Sequence, residues 1–170
     1  MLFSEPSHPP AQTLAAKTLP CLAVALFVLA EPASADEPIL TLSGPSVETS
    51  VTLTREDLLA LPQYELTTST TVTDGPATFT GFLIRELLDL HQAEGETVIA
   101  TALNDYQVEI PWEDFTQFDV IGALYMDGAP LSPRDKGPVW IVYPRDDHAL
   151  LQDIRYDTRW VWQLVTLDVR

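Results

Sequence analysis

Arg134, Lys136, Arg145, Arg155 and Arg159 are five of the nine lysines and arginines in a 170-residue chain that carries 25 aspartates and glutamates. Scarce positive charge gathered in one stretch is the first candidate for chemistry. Arginine's planar fork grips carboxylate, sulfate or phosphate through two parallel hydrogen bonds. Trp140, Tyr143, Tyr156 and Trp160 lie among these cations and are suited to wall a pocket around a small organic anion. Asp135, Asp146, Asp147, Asp153 and Asp157 share the stretch. Interleaved opposite charges equally describe a solvated face of ion pairs, with the aromatics turned to the core. Other constellations are weaker. Ser132 and His148, with Asp146 or Asp147 to orient the ring, have the residue types of a nucleophile and its base, but no Gly-x-Ser-x-Gly turn carries the serine. The paired acids Glu113-Asp114 and Asp146-Asp147 lack the dense oxygen spacing of a calcium loop. His91 and His148 stand far apart in the chain, and no zinc-type spacing accompanies them. The residues thus predict no metal site and single out no catalytic group.

Hydrophobic period and turn chemistry predict the elements that position these residues. Alternation predicts strands over 39–42 and 47–53, with Gly44-Pro45 between them. Thr54 and Asp57 form a capping box for a short helix, with Leu58, Leu59 and Leu61 toward the core and Pro62 at its end. A threonine-rich strand covers 64–72 and Asp74-Gly75-Pro76 turns the chain. The stripe Leu83, Ile84, Leu87 and Leu88 predicts a helix over 82–91. Strands over 97–103 and 106–110 flank the turn Asn104-Asp105. Pro111 takes the first position of a short helix containing Trp112 and Phe115. A strand over 120–125, a tight turn at Asp127-Gly128, a strand over 139–143, a charged loop over 145–147, a short helix or turn within 153–162 and a strand over 164–169 follow. Strands alternating irregularly with short helices predict an α+β domain.

Lys17, the apolar run 19–30 and Ala33-Ser34-Ala35 follow the order of a secretory leader, so cleavage behind Ala35 and export of 36–170 as one domain are expected. The run falls short of the about 20 apolar residues that span a bilayer, and no stable membrane span is expected. A net charge of −16 opposes binding to nucleic acid and to anionic lipid. Cys21 is the single cysteine and lies in the leader. The exported domain therefore has no disulfide, thiolate metal ligand or cysteine nucleophile.

Four blocks occur in a set order. They are Phe79-Thr80-Gly81-Phe82-Leu83-Ile84-Arg85-Glu86-Leu87-Leu88; Asn104-Asp105-Tyr106-Gln107-Val108-Glu109-Ile110-Pro111; Met126-Asp127-Gly128-Ala129-Pro130-Leu131 with the following Gly137-Pro138-Val139; and a tryptophan-containing segment before the last strand. Together they resemble the molybdopterin-binding domain of the sulfite-oxidase family over most of 36–170. The resemblance implies that family's α+β fold, a mixed and barrel-like sheet core with short helices, and an oxidoreductase that holds molybdopterin. It also implies a cysteine thiolate on molybdenum from the segment before Gly81. Here that segment reads Leu66-Thr67-Thr68-Ser69-Thr70-Thr71-Val72, with hydroxyls where a soft ligand is wanted. Trp140 stands where the family often has a basic residue facing the cofactor, and Arg145-Asp146-Asp147 replaces a glycine-bearing loop. The resemblance further implies cofactor insertion into folded protein before export. Folded cargo uses an Arg-Arg leader, and the first arginine here is Arg55. These departures predict a non-catalytic periplasmic protein without a cofactor. It would bind a small anionic ligand, or a periplasmic or membrane-bound signalling or redox partner, in the cleft the family uses for its cofactor. Arg134, Lys136, Tyr143, Arg145, Arg155 and Arg159 are the expected anion contacts, Trp140 and Trp160 the walls, Asn104 and Tyr106 the opposite rim. The alternative is a molybdopterin-dependent oxidoreductase whose metal is held by the pterin dithiolene alone, near Thr or Ser of 67–71.

Overall fold

A computed structural model describes residues 37–47 and 49–170; the expected leader lies outside the described residues. The strands are β1 (Pro38–Ser43), β2 (Val51–Thr54), β3 (Tyr64–Ser69), β4 (Pro76–Leu83), β5 (Thr97–Ala102), β6 (Gln107–Pro111), β7 (Ile121–Met126), β8 (Ala129–Pro130), β9 (Trp140–Val142) and β10 (Leu164–Val169). They divide between two sheets. One has the order β2-β1-β10-β5-β6; the other runs β3-β4-β7-β8, with β9 also on β7. β1 and β10 pair in parallel, and the other described pairs are antiparallel. The helices α1 (Arg55–Ala60), α2 (Ile84–Leu90), α3 (Trp112–Gln117) and α4 (Ile154–Asp157) are short. The α+β class expected from the sequence is the class found. Alternating side chains Val98, Ala100 and Ala102 on β5 are buried in one apolar cluster, as half-buried strands require, and Leu164, Leu167 and Val169 on β10 join it, with a register shift between Leu164 and Thr166. No helix among the described residues is long and apolar enough to cross a membrane.

Local chemistry sets most boundaries. The Thr54 side chain accepts from the Asp57 N–H at 3.1 Å, and the Asp57 carboxylate accepts from the Thr54 N–H at 2.8 Å, the reciprocal capping box. Leu58 is buried and Leu61 packs on the core, but Leu59 is exposed, because so short a helix presents only a narrow apolar face. Asp127 and Gly128, with φ of 50° and 77°, turn β7 into β8 and set Met126 opposite Ala129, as a two-residue hairpin with positive φ does.

Several boundaries differ from expectation. The strand expected over 64–72 stops at Ser69, where its pairing with β4 ends. The strand expected over 47–53 is confined to Val51–Thr54, the part that pairs with β1. Pro111 precedes its helix as the cap residue. The helix expected over 82–91 begins at Ile84, since Phe82 and Leu83 are the last rungs of β4, opposite Gly122 and Ile121. Sheet pairing overrides the helical stripe there because the backbones approach closely: a Cβ on Gly81 would lie 2.1 Å from the Gly122 carbonyl oxygen.

Candidate functional site

The Pro/Gly loop before β9 is clamped from two sides. Arg55 Nη2 donates to the Leu131 carbonyl at 3.1 Å, and Gln163 donates its backbone N–H to Lys136 at 2.9 Å and its side-chain amide to Pro133 at 2.7 Å. Ile141 N–H donates to Val161 and Leu164 N–H to Val139, at 2.9 and 3.0 Å. The irregular segment before β10 thus runs beside β9 and brings Trp160 and Trp162 to Trp140 around a cavity of about 270 Å³. The Trp140 and Trp162 rings meet edge-on, with centroids 6.4 Å apart. The turn between β5 and β6 supplies another wall. Asp105 adopts φ 64°, Asn104 Oδ1 accepts from the Tyr106 N–H at 3.2 Å, and the Tyr106 hydroxyl donates to the Thr158 carbonyl at 3.2 Å. Thr70, Thr71 and Val72 line the cavity from beyond the end of β3, and Asp157 from α4.

Trp140, Trp160, Asn104 and Tyr106 therefore line one cavity. The six expected anion contacts are not among its lining residues, and that expectation is corrected. Arg155 is exposed and grips Asp153 with Nε and Nη2 at 2.9 and 3.1 Å. Arg159 donates to Asp114 at 2.6 Å and stacks over Tyr156 at 4.6 Å. Tyr143 is fully buried and donates to the same Asp114 oxygen at 2.8 Å. Burial first, then the Asp114 carboxylate, holds its phenol well above the usual tyrosine pKa, since both disfavour a second anion. Lys136 pairs with Asp135 at 3.1 Å and lies 5.7 Å from the Trp140 ring centroid. Arg145 Nη1 makes a long 3.5 Å contact with Ser69 Oγ, and its buried Nε has no partner among the described residues. Arg134 is exposed, and its backbone N–H donates to Ser132 Oγ at 3.2 Å. The cations occupy separate loops and α4, and in so acidic a chain several find a nearby carboxylate instead of a shared anion.

The nucleophile arrangement is not assembled either. Ser132 Oγ accepts from the Arg134 backbone, His148 packs edge-on against Phe118 at 5.1 Å, and no hydrogen bond joins the two among the described residues. Among the described residues, no group of three or more His, Cys, Asp or Glu is placed to hold a metal ion.

The hydroxyls of 68–70 hold the backbone in place. Asp146 N–H donates to Thr68 Oγ1 at 3.2 Å, and Ser69 donates its N–H and hydroxyl to the Asp146 carboxylate at 2.6 and 2.5 Å. The Ser69 hydroxyl first, helped by its N–H and by Arg145, holds the Asp146 carboxyl below the ordinary range, because these contacts favour the charged form. Thr70 Oγ1 accepts from the Val72 N–H at 3.1 Å and bonds Thr73 Oγ1 at 3.0 Å. The lining residues include no thiol, lysine or arginine, and the cavity's about 270 Å³ lies below the about 300–1,000 Å³ of sites that hold larger ligands and cofactors. These residues do not fit molybdopterin: molybdenum has no soft donor, and the phosphate has no cation.

The sequence reading missed Trp162, Asp157, Thr158 and Val72, whereas Thr70 and Thr71 belong to the 67–71 segment that the alternative set beside the metal. A signal for Trp162 was present. Trp162 follows Trp160 by two positions, the spacing at which an extended segment would set side chains on one side. Asp114, 45 positions from Arg159, has no local signal that marks it as buried.

A family model described as the oxidoreductase molybdopterin binding domain matches residues 30–146. The crystal structure of the sulfane dehydrogenase SoxCD from Paracoccus pantotrophus is similar to this chain with a TM-score of 0.64 at 20% identity, over 82% of this chain and 40% of that one. The chain thus spans less than half of that chain's length, and likeness at this identity is one of fold. No curated protein sequence matches.

Proposed function

The chain belongs to the oxidoreductase molybdopterin binding domain family, and from that premise we propose that it is an exported, non-catalytic member that binds a small ligand in its tryptophan-walled cavity. One observation carries the reading. The cavity beside Thr70–Val72 offers indoles, a phenol, hydroxyls, an amide and one carboxylate, with no thiol and no cation among its lining residues. The donor set that molybdenum and an anionic pterin need is absent, yet the cavity is formed. Trp140 and Trp160 line it, and the Nε1–H of each is buried with no partner among the described residues.

Export rests on the order of Lys17, the apolar run 19–30 and Ala33-Ser34-Ala35, which supports a periplasmic location. Nothing among the described residues singles out a protein or membrane partner, so the ligand half of the expectation is the one retained.

The deciding experiment is elemental analysis for molybdenum and tungsten, with pterin extraction, on protein purified from the periplasm of its native host. Folded, monodisperse protein free of both is the expected result. Near-stoichiometric metal and pterin would overturn the proposal and make this a molybdopterin-dependent oxidoreductase without a cysteine ligand.

A further inference from the structure

Resting on that reading of the cavity as a ligand site, we propose that its ligand is a small organic ammonium compound that carries its own acceptor oxygen. The aromatic residues point first to the charge. Trp140, Trp160, Trp162 and Tyr106 all line one cavity. The face of an indole or phenol is the negative end of the ring quadrupole and attracts an ammonium group placed within about 6 Å of it. The one carboxylate in the lining reinforces this. Asp157 Oδ1 is buried and has no partner among the described residues, and a buried carboxylate oxygen requires a donor or a cation. The arginines flanking it in sequence do not supply one, since Arg155 is bound to Asp153 and Arg159 to Asp114. An anionic ligand would meet the Asp157 charge with no cation among the lining residues to offset it, and Lys136, 5.7 Å from the Trp140 ring centroid, is already paired with Asp135. The chain's net charge of −16 also raises the local concentration of cations.

The two indole donors then specify a second feature. Trp140 is fully buried and Trp160 is 7% exposed, and the Nε1–H of each lacks a partner among the described residues. Indole donates and cannot accept, so what these groups lack is an acceptor. A bare ammonium ion cannot provide it, whereas an ammonium compound with a hydroxyl, carbonyl or carboxylate oxygen can. An inorganic cation fits less well. Calcium takes about 6–8 oxygen ligands, and Asp157 is the sole carboxylate in the lining. A cavity of about 270 Å³ suits a compound of the size of choline or glycine betaine.

The test titrates choline and glycine betaine into the full exported protein, beside 3,3-dimethylbutanol, the neutral carbon isostere of choline, and beside sulfate. Tryptophan fluorescence and the thermal midpoint are the readouts. At least one ammonium probe is expected to bind, with choline ahead of its isostere by about tenfold or more, the range a desolvated cation–aromatic contact supplies. Asp157→Asn is expected to weaken the ammonium probe by about tenfold while leaving binding of the neutral isostere unchanged, because only the charged ligand feels the carboxylate. Trp162→Ala, at a 40% exposed side chain, removes one aromatic wall without emptying the core and is expected to weaken binding as well. Choline binding no tighter than the isostere, or an ammonium probe indifferent to Asp157→Asn, overturns the inference. Binding of the isostere or sulfate alone would leave the cavity a ligand site and reject only the ammonium. If no probe moves either signal the ammonium inference falls, and the molybdenum and pterin analysis separately decides whether the ligand reading falls with it.

Discussion

Asp114→Ala should be among the most damaging polar substitutions in this protein. Asp114 is 5% exposed, and its Oδ2 accepts from both Tyr143 Oη at 2.8 Å and Arg159 Nη1 at 2.6 Å. Removing the carboxylate strands a fully buried hydroxyl and a guanidinium whose side chain is only 20% exposed. Breaking a buried ion pair from one side costs about 3–5 kcal/mol, and an unsatisfied buried hydroxyl adds about 1–3 kcal/mol. The exposed fifth of Arg159 recovers some hydration, so a total of about 4 kcal/mol is expected against a domain stability of roughly 5–15 kcal/mol. Tyr143→Phe keeps the ion pair and should cost about 1 kcal/mol. Asp114→Leu combined with Arg159→Met removes both charges and fills the space with apolar groups, so it should recover a coupling of about 1–3 kcal/mol relative to the sum of the two single changes. Urea unfolding followed by fluorescence of the four tryptophans measures all of these. A cost below about 1 kcal/mol for Asp114→Ala, or strict additivity in the double variant, would refute the claim that Arg159 and Tyr143 depend on this buried carboxylate.

Two further outcomes follow from local geometry. Gly81→Ala would set a Cβ 2.1 Å from the Gly122 carbonyl oxygen and 2.7 Å from the Ala123 Cα, so β4 and β7 must part. No cooperatively folded protein is expected by circular dichroism and thermal melting, and a variant within about 1 kcal/mol of the parent would contradict this. Asp146 has a folded pKa below its ordinary value, led by the Ser69 hydroxyl; its contribution to stability is therefore present above the unfolded pKa of about 4 and is lost as pH falls through the folded value. The stability gap between the parent and Asp146→Asn should hold near neutral pH and close on acidification, and a gap that widens in acid would count against the Ser69–Asp146 link.

Legibility divides along the range of the interactions. The Thr54–Asp57 capping box and the Asp127-Gly128 turn involve residues at most three apart, so their chemistry is visible in the bare chain. The alternation of β5 follows from the two-residue repeat of a strand, whereas the register shift between Leu164 and Thr166 in β10 has no such local mark. The end of β4 was misread because Phe82 and Leu83 also fit the apolar stripe of α2, and only pairing with Gly122 and Ile121 assigns them to the sheet. The site was legible in part. Trp140, Trp160, Asn104 and Tyr106 line the cavity, whereas the cations expected with them do not.

The residues by themselves determined the α+β class, the acidic surface, the family likeness and the lack of a thiol in the segment before Gly81. Each depends on residue type or on spacing over a few positions. Tertiary structure alone decided where the charges went. Arg159 has Asp153 and Asp157 close by in sequence, yet it pairs with Asp114, 45 positions away and buried. Linear proximity ranks carboxylates by chain distance, while Coulomb energy depends on separation in space and on how much water remains between the charges. The cavity obeys the same rule. Its walls come from 70–72, 102–106, 140 and 157–162, which meet because the return segment before β10 bonds to Ile141 within β9 and to Val139 just before it, and no short-range preference encodes that contact.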